Sequence, residues 1–301
     1  MGLIKINCKS DGICSSFLYE KKKTLSIGDS LGNIRIFNLK EKLNTSKIMH
    51  IHDLEITRIT VMGSNLLSCS LDSKLKVWDL NKWCLINSFI DHRGSINDLD
   101  VLERNISTVS DDGDLRFWDT RSKTSIGKIS HGFNLTGCRF LNDKNLILSH
   151  GITDFLYLWD LRMTRNFLAQ SKILKKSACS ILSLCVSRIS NFIFILDSQY
   201  KVHRLNSRVK KNVPKCKIFK KDIMKEKIFH RNILKLNIDD RGKFILNGDL
   251  SGKSFIRSQK NGKILNQFND HTTPVKEVMI SFALKMFISC SVDGLIAVRT
   301  F

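Results

Sequence analysis

Apolar residues fall along this chain in short runs of about four to seven, separated by turns rich in Gly, Asn, Asp and Ser. The stretch from Ile56 onward shows the rhythm. Apolar-rich runs at 56–62, 65–70, 75–78 and 84–89 are divided by Gly63-Ser64, by Asp72-Ser73 and by Asn81-Lys82. Runs of this length, rich in Ile, Leu, Val and Phe, predict strands. No segment holds a helical period long enough to predict an amphipathic helix. The longest apolar runs, such as Phe192-Ile193-Phe194-Ile195-Leu196, are strand-sized and far short of the ~18 residues of a membrane-crossing helix. The first residues lack a signal-peptide core. Ile6 stands where a myristoylation motif after Gly2 needs Ser or Thr. The expectation is a soluble, intracellular protein.

The pattern repeats. SLDSKLKVWD ends at Asp79, SDDGDLRFWD at Asp119 and GITDFLYLWD at Asp160, a period of 40 or 41 residues. Weaker copies end at Asn38, Asn206, Ser258 and Thr300, making seven in all. Each copy reads as three strands, with a fourth after the Trp-Asp position.

In period and Trp-Asp ending the chain resembles the WD40-repeat family along its whole length. The resemblance implies an all-β, seven-bladed WD40 β-propeller, a single domain over 1–301, each blade a four-stranded sheet. The last copy runs to Phe301 without a fourth strand, while the apolar-alternating Leu3–Asn7 has no partner of its own. The N-terminal strand is therefore expected to complete the last blade and remove an open sheet edge.

Two copies carry a recurrent polar set: His52, Ser70, Asp72 and Trp78, then His92, Ser110, Asp112 and Trp118. In the family such residues form a hydrogen-bonded chain that pins strands together, as buried polar groups require. Ser, His and Asp together also fit a hydrolase triad. The set recurs at the repeat period and no nucleophile-elbow sequence accompanies it, so the structural role is preferred. The fourth copy keeps His131, Asp154 and Trp159, with Thr153 where the Asp is expected. The seventh keeps His271, Ser291 and Asp293, with Arg299 for Trp. The fifth and sixth show only the strand pattern, and blades two and three are expected to be the most rigid.

The net charge is +21. It favours RNA, DNA or acidic partners, but four Ala and two Pro amid many Lys, Ile and Asn also fit an AT-rich coding sequence. The densest basic stretch is the connection at 207–231, with ten Lys or Arg against two acids. It predicts an outer strand at 215–219 and a basic loop, with Lys210, Lys211, Lys220 and Lys221 as candidate contacts. Nine scattered cysteines form no C-x-x-C pair and are expected to be buried thiols in a reducing compartment. No metal constellation, phosphate loop or acid–base pair is present. No catalytic, cofactor or metal residue is assigned, and no membrane or small-molecule substrate is expected.

SDDGDLRFWDTRSKTSIGKI and SHGITDFLYLWDLR resemble consecutive blades in the WD-repeat subunits of the spliceosomal U5 small nuclear ribonucleoprotein. So does the long connection containing Lys215-Cys216-Lys217-Ile218-Phe219, followed by Asn232-Ile233-Leu234-Lys235. That family has Trp-Asp endings in blades five and six; this chain lacks them. The resemblance implies a non-catalytic scaffold in pre-mRNA splicing, located in the nucleus, or in a nucleomorph if the genome is a reduced endosymbiont's. It implies contacts with the large splicing factor, the helicase and the GTPase, with RNA as an auxiliary contact. The alternative is a WD40 adaptor of a chromatin-modifying or other nuclear complex, against which the +21 charge argues where the partner is a basic tail. Loops on a rigid scaffold carry function. The candidate partner face is the set of turns holding Glu55, Leu71, Arg93, Asp111, Thr273 and Val292.

Overall fold

The computed structural model describes residues 3–8, 13–19, 23–39, 45–153, 155–162, 169–172, 180–206, 217–218, 234–239 and 241–301, with backbone alone for 13–19, 45–46, 169–172 and 217–218. Among them there is no helix. The strands form seven four-stranded antiparallel sheets. Blade one is Ile13–Tyr19, Thr24–Asp29, Asn33–Asn38 and Thr45–His50; blade two is Ile56–Met62, Asn65–Ser70, Leu75–Asp79 and Leu85–Phe89. Blade three is Ile96–Leu102, Asn105–Ser110, Asp114–Trp118 and Gly127–Ser130, and blade four Leu135–Phe140, Leu146–Gly151, Phe155–Asp160 and Ala169–Lys172. Blade five is Ile181–Ser187, Phe192–Asp197, Val202–Asn206 and Lys217–Ile218, and blade six Asn237–Ile238, Phe244–Gly248, Lys253–Ser258 and Ile264–Asn269.

Blade seven takes Val275–Ser281, Met286–Ser291 and Leu295–Thr300, and its outer strand is Leu3–Asn7, paired from Leu3↔Arg299 to Asn7↔Leu295. The inner strand of each blade packs beside the next, and that of blade seven beside that of blade one, so the sheets close into a ring. This is a seven-bladed β-propeller, closed by the N-terminal strand.

The second strand of every blade is buried from its second residue onward. A strand sandwiched between two neighbouring sheets meets protein on both faces, which is why these segments read as continuous apolar and small residues. Seven apolar clusters occupy the blade-to-blade interfaces. One joins Leu25 and Phe37 of blade one to Ile288 and Val298 of blade seven; another joins Leu67 and Val77 of blade two to Leu99 and Trp118 of blade three. Outer strands face water, as in the nearly all-exposed Ile264–Asn269.

Two turns meet at each end of a blade. At the upper end, the residue after the second strand bonds back to the turn before the inner strand, as in Leu71 N to Glu55 O, Asp111 N to Ser95 O and Val292 N to Pro274 O. At the lower end, the residue after the third strand bonds to the first hairpin, as in Leu80 N to Ser64 O and Phe301 N to Lys285 O. The upper hairpin needs a left-handed residue. Gly32 (φ 79°) and Gly252 (φ 86°) supply it in blades one and six, where a Cβ would strike the carbonyl of His52 or His271.

Candidate functional site

The upper face rests on polar relays set between strands. In blade three, Trp118 Nε1 donates to Thr108 Oγ1 at 2.8 Å, and Thr108 Oγ1 lies 2.8 Å from His92 Nε2. His92 Nδ1 lies 2.8 Å from Asp112 Oδ2. The tautomer that satisfies every group puts the proton on Nδ1: the Thr108 hydroxyl donates to Nε2, and Nδ1–H donates to Asp112. Asp112 also accepts Arg93 N at 3.0 Å and Asp114 N at 2.9 Å, so one carboxylate holds both upper turns.

Blade two repeats this with His52 between Ser68 (2.9 Å) and Asp72 (2.9 Å), but Trp78 Nε1 is buried with no hydrogen-bond partner. The relay hydroxyls are thus Ser68 and Thr108, and the assignment of Ser70 and Ser110 to them is corrected. Ser70 Oγ donates to Leu54 O and accepts Asp72 N; Ser110 Oγ donates to Gly94 O and accepts Asp112 N. Both brace the turns. A strand's period of two puts Ser70 and Ser68 on one face, so alternation alone does not separate them. The ten-residue offset from the Trp, seen in Thr108–Trp118, does.

Blade four keeps Trp159 Nε1, Ser149 Oγ and His131 Nε2, each step 2.9 Å, but His131 Nδ1 is buried without a partner. Asp154 lies outside the described residues. In blade seven His271 Nε2 meets Ser289 Oγ at 2.7 Å. Arg299, in the Trp position, binds Asp270 through Nε (2.8 Å) and Nη2 (2.5 Å) and stacks on Phe268.

Blades one, five and six hold more than a strand pattern. A buried aspartate occupies the Ser110 position in each: Asp29, Asp197 and Asp249. Oδ1 of Asp197 accepts Gln199 N (2.9 Å) and Lys201 N (2.8 Å), while Oδ2 takes His203 Nε2 (2.7 Å). Asp249 caps Ser251 N and Lys253 N likewise, and Asp29 caps Leu31 N and Asn33 N. In blade six Arg257 Nε donates to Asn247 Oδ1 at 3.1 Å, in place of Trp to hydroxyl. The signal was legible as Gly-Asp or Leu-Asp closing the second strand. Asp239, buried in a lower turn, accepts Phe244 N at 2.6 Å.

Glu55, Leu71, Arg93, Asp111, Thr273 and Val292 all lie in upper turns. Arg93 is exposed and Val292 is 39% exposed, while Leu71 and Thr273 are half-buried. Asp111 accepts Asn97 Nδ2 and Asn134 Nδ2, and Glu55 accepts Lys276 Nζ at 3.2 Å from blade seven.

Beneath this face the channel holds an ion network absent from the sequence reading. Arg58 of blade two lies 3.8 Å from Asp98 of blade three and 3.6 Å from Glu277 of blade seven. Asp98 also pairs with Arg139 of blade four, and Glu277 lies 3.7 Å from Lys235 of blade six. Bulges near the start of the inner strands, between Ile56 and Arg58, Ile96 and Asp98, and Val275 and Glu277, set these side chains. Burial pushes Lys235 down to about 8.

Among the described residues no His, Cys, Asp and Glu group could hold a metal ion. Cys8, Cys69, Cys138, Cys185 and Cys290 are buried. Burial raises Cys69 and Cys185 to about 12, which leaves their thiols unreactive. Cys84 is exposed, contrary to expectation. Lys210, Lys211, Lys220 and Lys221 lie outside the described residues. The outer strand expected at 215–219 is Lys217–Ile218, paired with His203 and Arg204.

A family model for the WD domain, G-beta repeat, matches residues 44–79 and 83–119. The U5 small nuclear ribonucleoprotein 40 kDa protein of Dictyostelium discoideum is 29% identical over 103 residues, 33% of this chain and 29% of that protein. The pre-mRNA-splicing factor cwf17 of Schizosaccharomyces pombe is 33% identical over 116 residues, 37% of this chain and 33% of that protein. The F-box/WD repeat-containing protein sel-10 of Caenorhabditis elegans is 30% identical over 108 residues, 35% of this chain and 18% of that protein. Each match thus spans a third or less of the relative's length. The chain is a seven-bladed β-propeller that carries WD40 repeats.

Proposed function

We propose that this propeller is a non-catalytic scaffold of the U5 small nuclear ribonucleoprotein, acting in pre-mRNA splicing in the nucleus. The observation that carries the reading is the likeness to two relatives named for splicing, the U5 40 kDa protein and cwf17. The nucleomorph alternative gains nothing from those names. The upper turns are the contact face: relays and caps hold them rigid while Arg93 and Val292 face outward. The large splicing factor, the helicase and the GTPase are the proposed partners, with the connection at 207–231 as an auxiliary RNA contact. A second reading, an adaptor of another protein complex, draws on sel-10, which matches at similar identity. Affinity purification from native extract, with RNA sequencing and mass spectrometry, separates them. U5 RNA and the large splicing factor are expected. Chromatin-modifying or ubiquitin-ligase subunits without spliceosomal RNA overturn the U5 assignment.

A further inference from the structure

The connection at 207–231 carries +8, ten cations less two acids, so +13 of the +21 lies elsewhere. Part of it stands on the lower face, where two sectors differ. Around blades three and four most exposed cations are matched: Arg121 with Asp119 (2.6 Å), Lys144 with Glu103 (3.8 Å), Arg162 with Asp160 (2.6 Å), with Arg104 and Lys123 outside such pairs. Blades six and seven present Arg241, Lys243, Lys260, Lys263 and Lys285, all exposed. The one acidic side chain among the described residues of those lower turns is Asp239, which is buried; Asp240 lies outside them.

The cations surround aromatic rings. Arg241 stacks on Phe282 at 4.6 Å, and Phe282 meets Phe244 at 5.5 Å and Phe301 edge-on at 5.9 Å. Phe301 is 45% exposed. The surface is continuous: Phe301 N bonds to Lys285 O, and Gln259 N, beside Lys260, bonds to Lys243 O.

We infer that the lower face of blades six and seven binds single-stranded RNA. Unmatched cations attract phosphates, and an exposed ring beside a guanidinium offers a base a stacking platform. An acidic polypeptide would use the charge but not the rings, so the aromatic cluster favours RNA. The inference goes beyond the scaffold reading, since it concerns the opposite face and the isolated chain.

The test is fluorescence anisotropy of the full chain with a labelled uridine oligonucleotide and, separately, labelled poly-glutamate. Arg241→Gln, Lys260→Gln and Lys285→Gln together should weaken RNA binding about tenfold and reduce the salt slope by about 2, at roughly 0.7 per lost contact. An equal charge loss outside the patch, Lys47→Gln, Lys82→Gln and Lys128→Gln, should change affinity less than about twofold. Phe301→Ala should weaken RNA about tenfold and leave poly-glutamate unchanged; Phe301→Leu keeps apolar packing should the alanine variant melt early. Absence of RNA binding, or equal losses in the two triple variants, overturns the inference. Poly-glutamate bound as tightly as RNA, with Phe301→Ala silent, makes the patch an acidic-protein surface instead.

Discussion

His92 and Asp112, 20 residues apart in sequence, meet at 2.8 Å, and that hydrogen bond ties the turn before blade three's inner strand to the hairpin above it. Asp112→Ala leaves His92 Nδ1 and two backbone N–H groups without their acceptor. It should cost about 1–3 kcal/mol in denaturant unfolding. Asp239→Ala, which frees Phe244 N alone, should cost less, about 1 kcal/mol; no effect at either site would mean that these bonds do not support the fold.

Blade two gives the same bond a pH signature. Burial opposes ionisation of Asp72, but the hydrogen bond to His52 outweighs it and holds the carboxyl at about 2 against the usual 3.8. A depressed carboxylate stabilises the fold above its unfolded pKa and loses that stabilisation as pH falls through the folded one. Stability should therefore decline between pH 3.8 and about 2, and Asp72→Asn should flatten that limb of a melting-temperature profile.

Blade four lacks the partner. Burial holds His131 neutral, its pKa down at about 4 from 6.5. The native state then loses stability as pH falls from 6.5 toward 4, because the unfolded chain protonates first. Thr153→Asp restores the residue that His92 has in Asp112. It should raise stability at pH 7 by about 1 kcal/mol and lift the His131 pKa in an NMR titration. An unchanged pKa would show that the new carboxylate does not reach Nδ1.

Arg299 looks in sequence like a lost Trp. In the structure it neutralises Asp270, whose side chain is 2% exposed. Arg299→Trp completes the repeat signature yet strands a buried carboxylate, and should destabilise by about 3 kcal/mol. Adding Asp270→Asn should recover part of that loss. A stabilising Arg299→Trp would refute the pairing.

The chain's rhythm of strands and turns was legible because a second strand packed on both faces must be apolar throughout, and because Leu3–Asn7 alone lacked a partner in its own copy. The relays were half legible. His and Asp mark turns at fixed places, but Ser68 and Ser70 share parity, and strand alternation does not show which hydroxyl reaches His52; the offset from the Trp does once the relay of blade three is seen. Asp29, Asp197 and Asp249 replace a relay by a turn cap of different chemistry, so the repeat signature does not mark them. The channel pairs were illegible: Arg58, Asp98 and Glu277 come from three separate blades, and no local pattern announces that they meet.

Those channel pairs allow the most demanding test. Glu277, 3% exposed at its side chain, lies 3.6 Å from Arg58 and 3.7 Å from Lys235. It joins blade seven to blades two and six across the axis of the ring. Glu277→Gln keeps the shape but removes the charge, leaving two cations to share Asp98, which Arg139 already holds. Removing one partner of a buried ionic group typically costs about 3–5 kcal/mol. The loss here should approach that, unless Lys235 sheds its proton. Lys235, already pushed down to about 8 by burial, is the group able to relieve the excess. The variant should therefore regain stability as pH rises from 7 toward 9, while the parent gains less. Equal pH dependence in both proteins would mean that Lys235 does not respond to Glu277, and that the blades are held by their apolar interfaces alone.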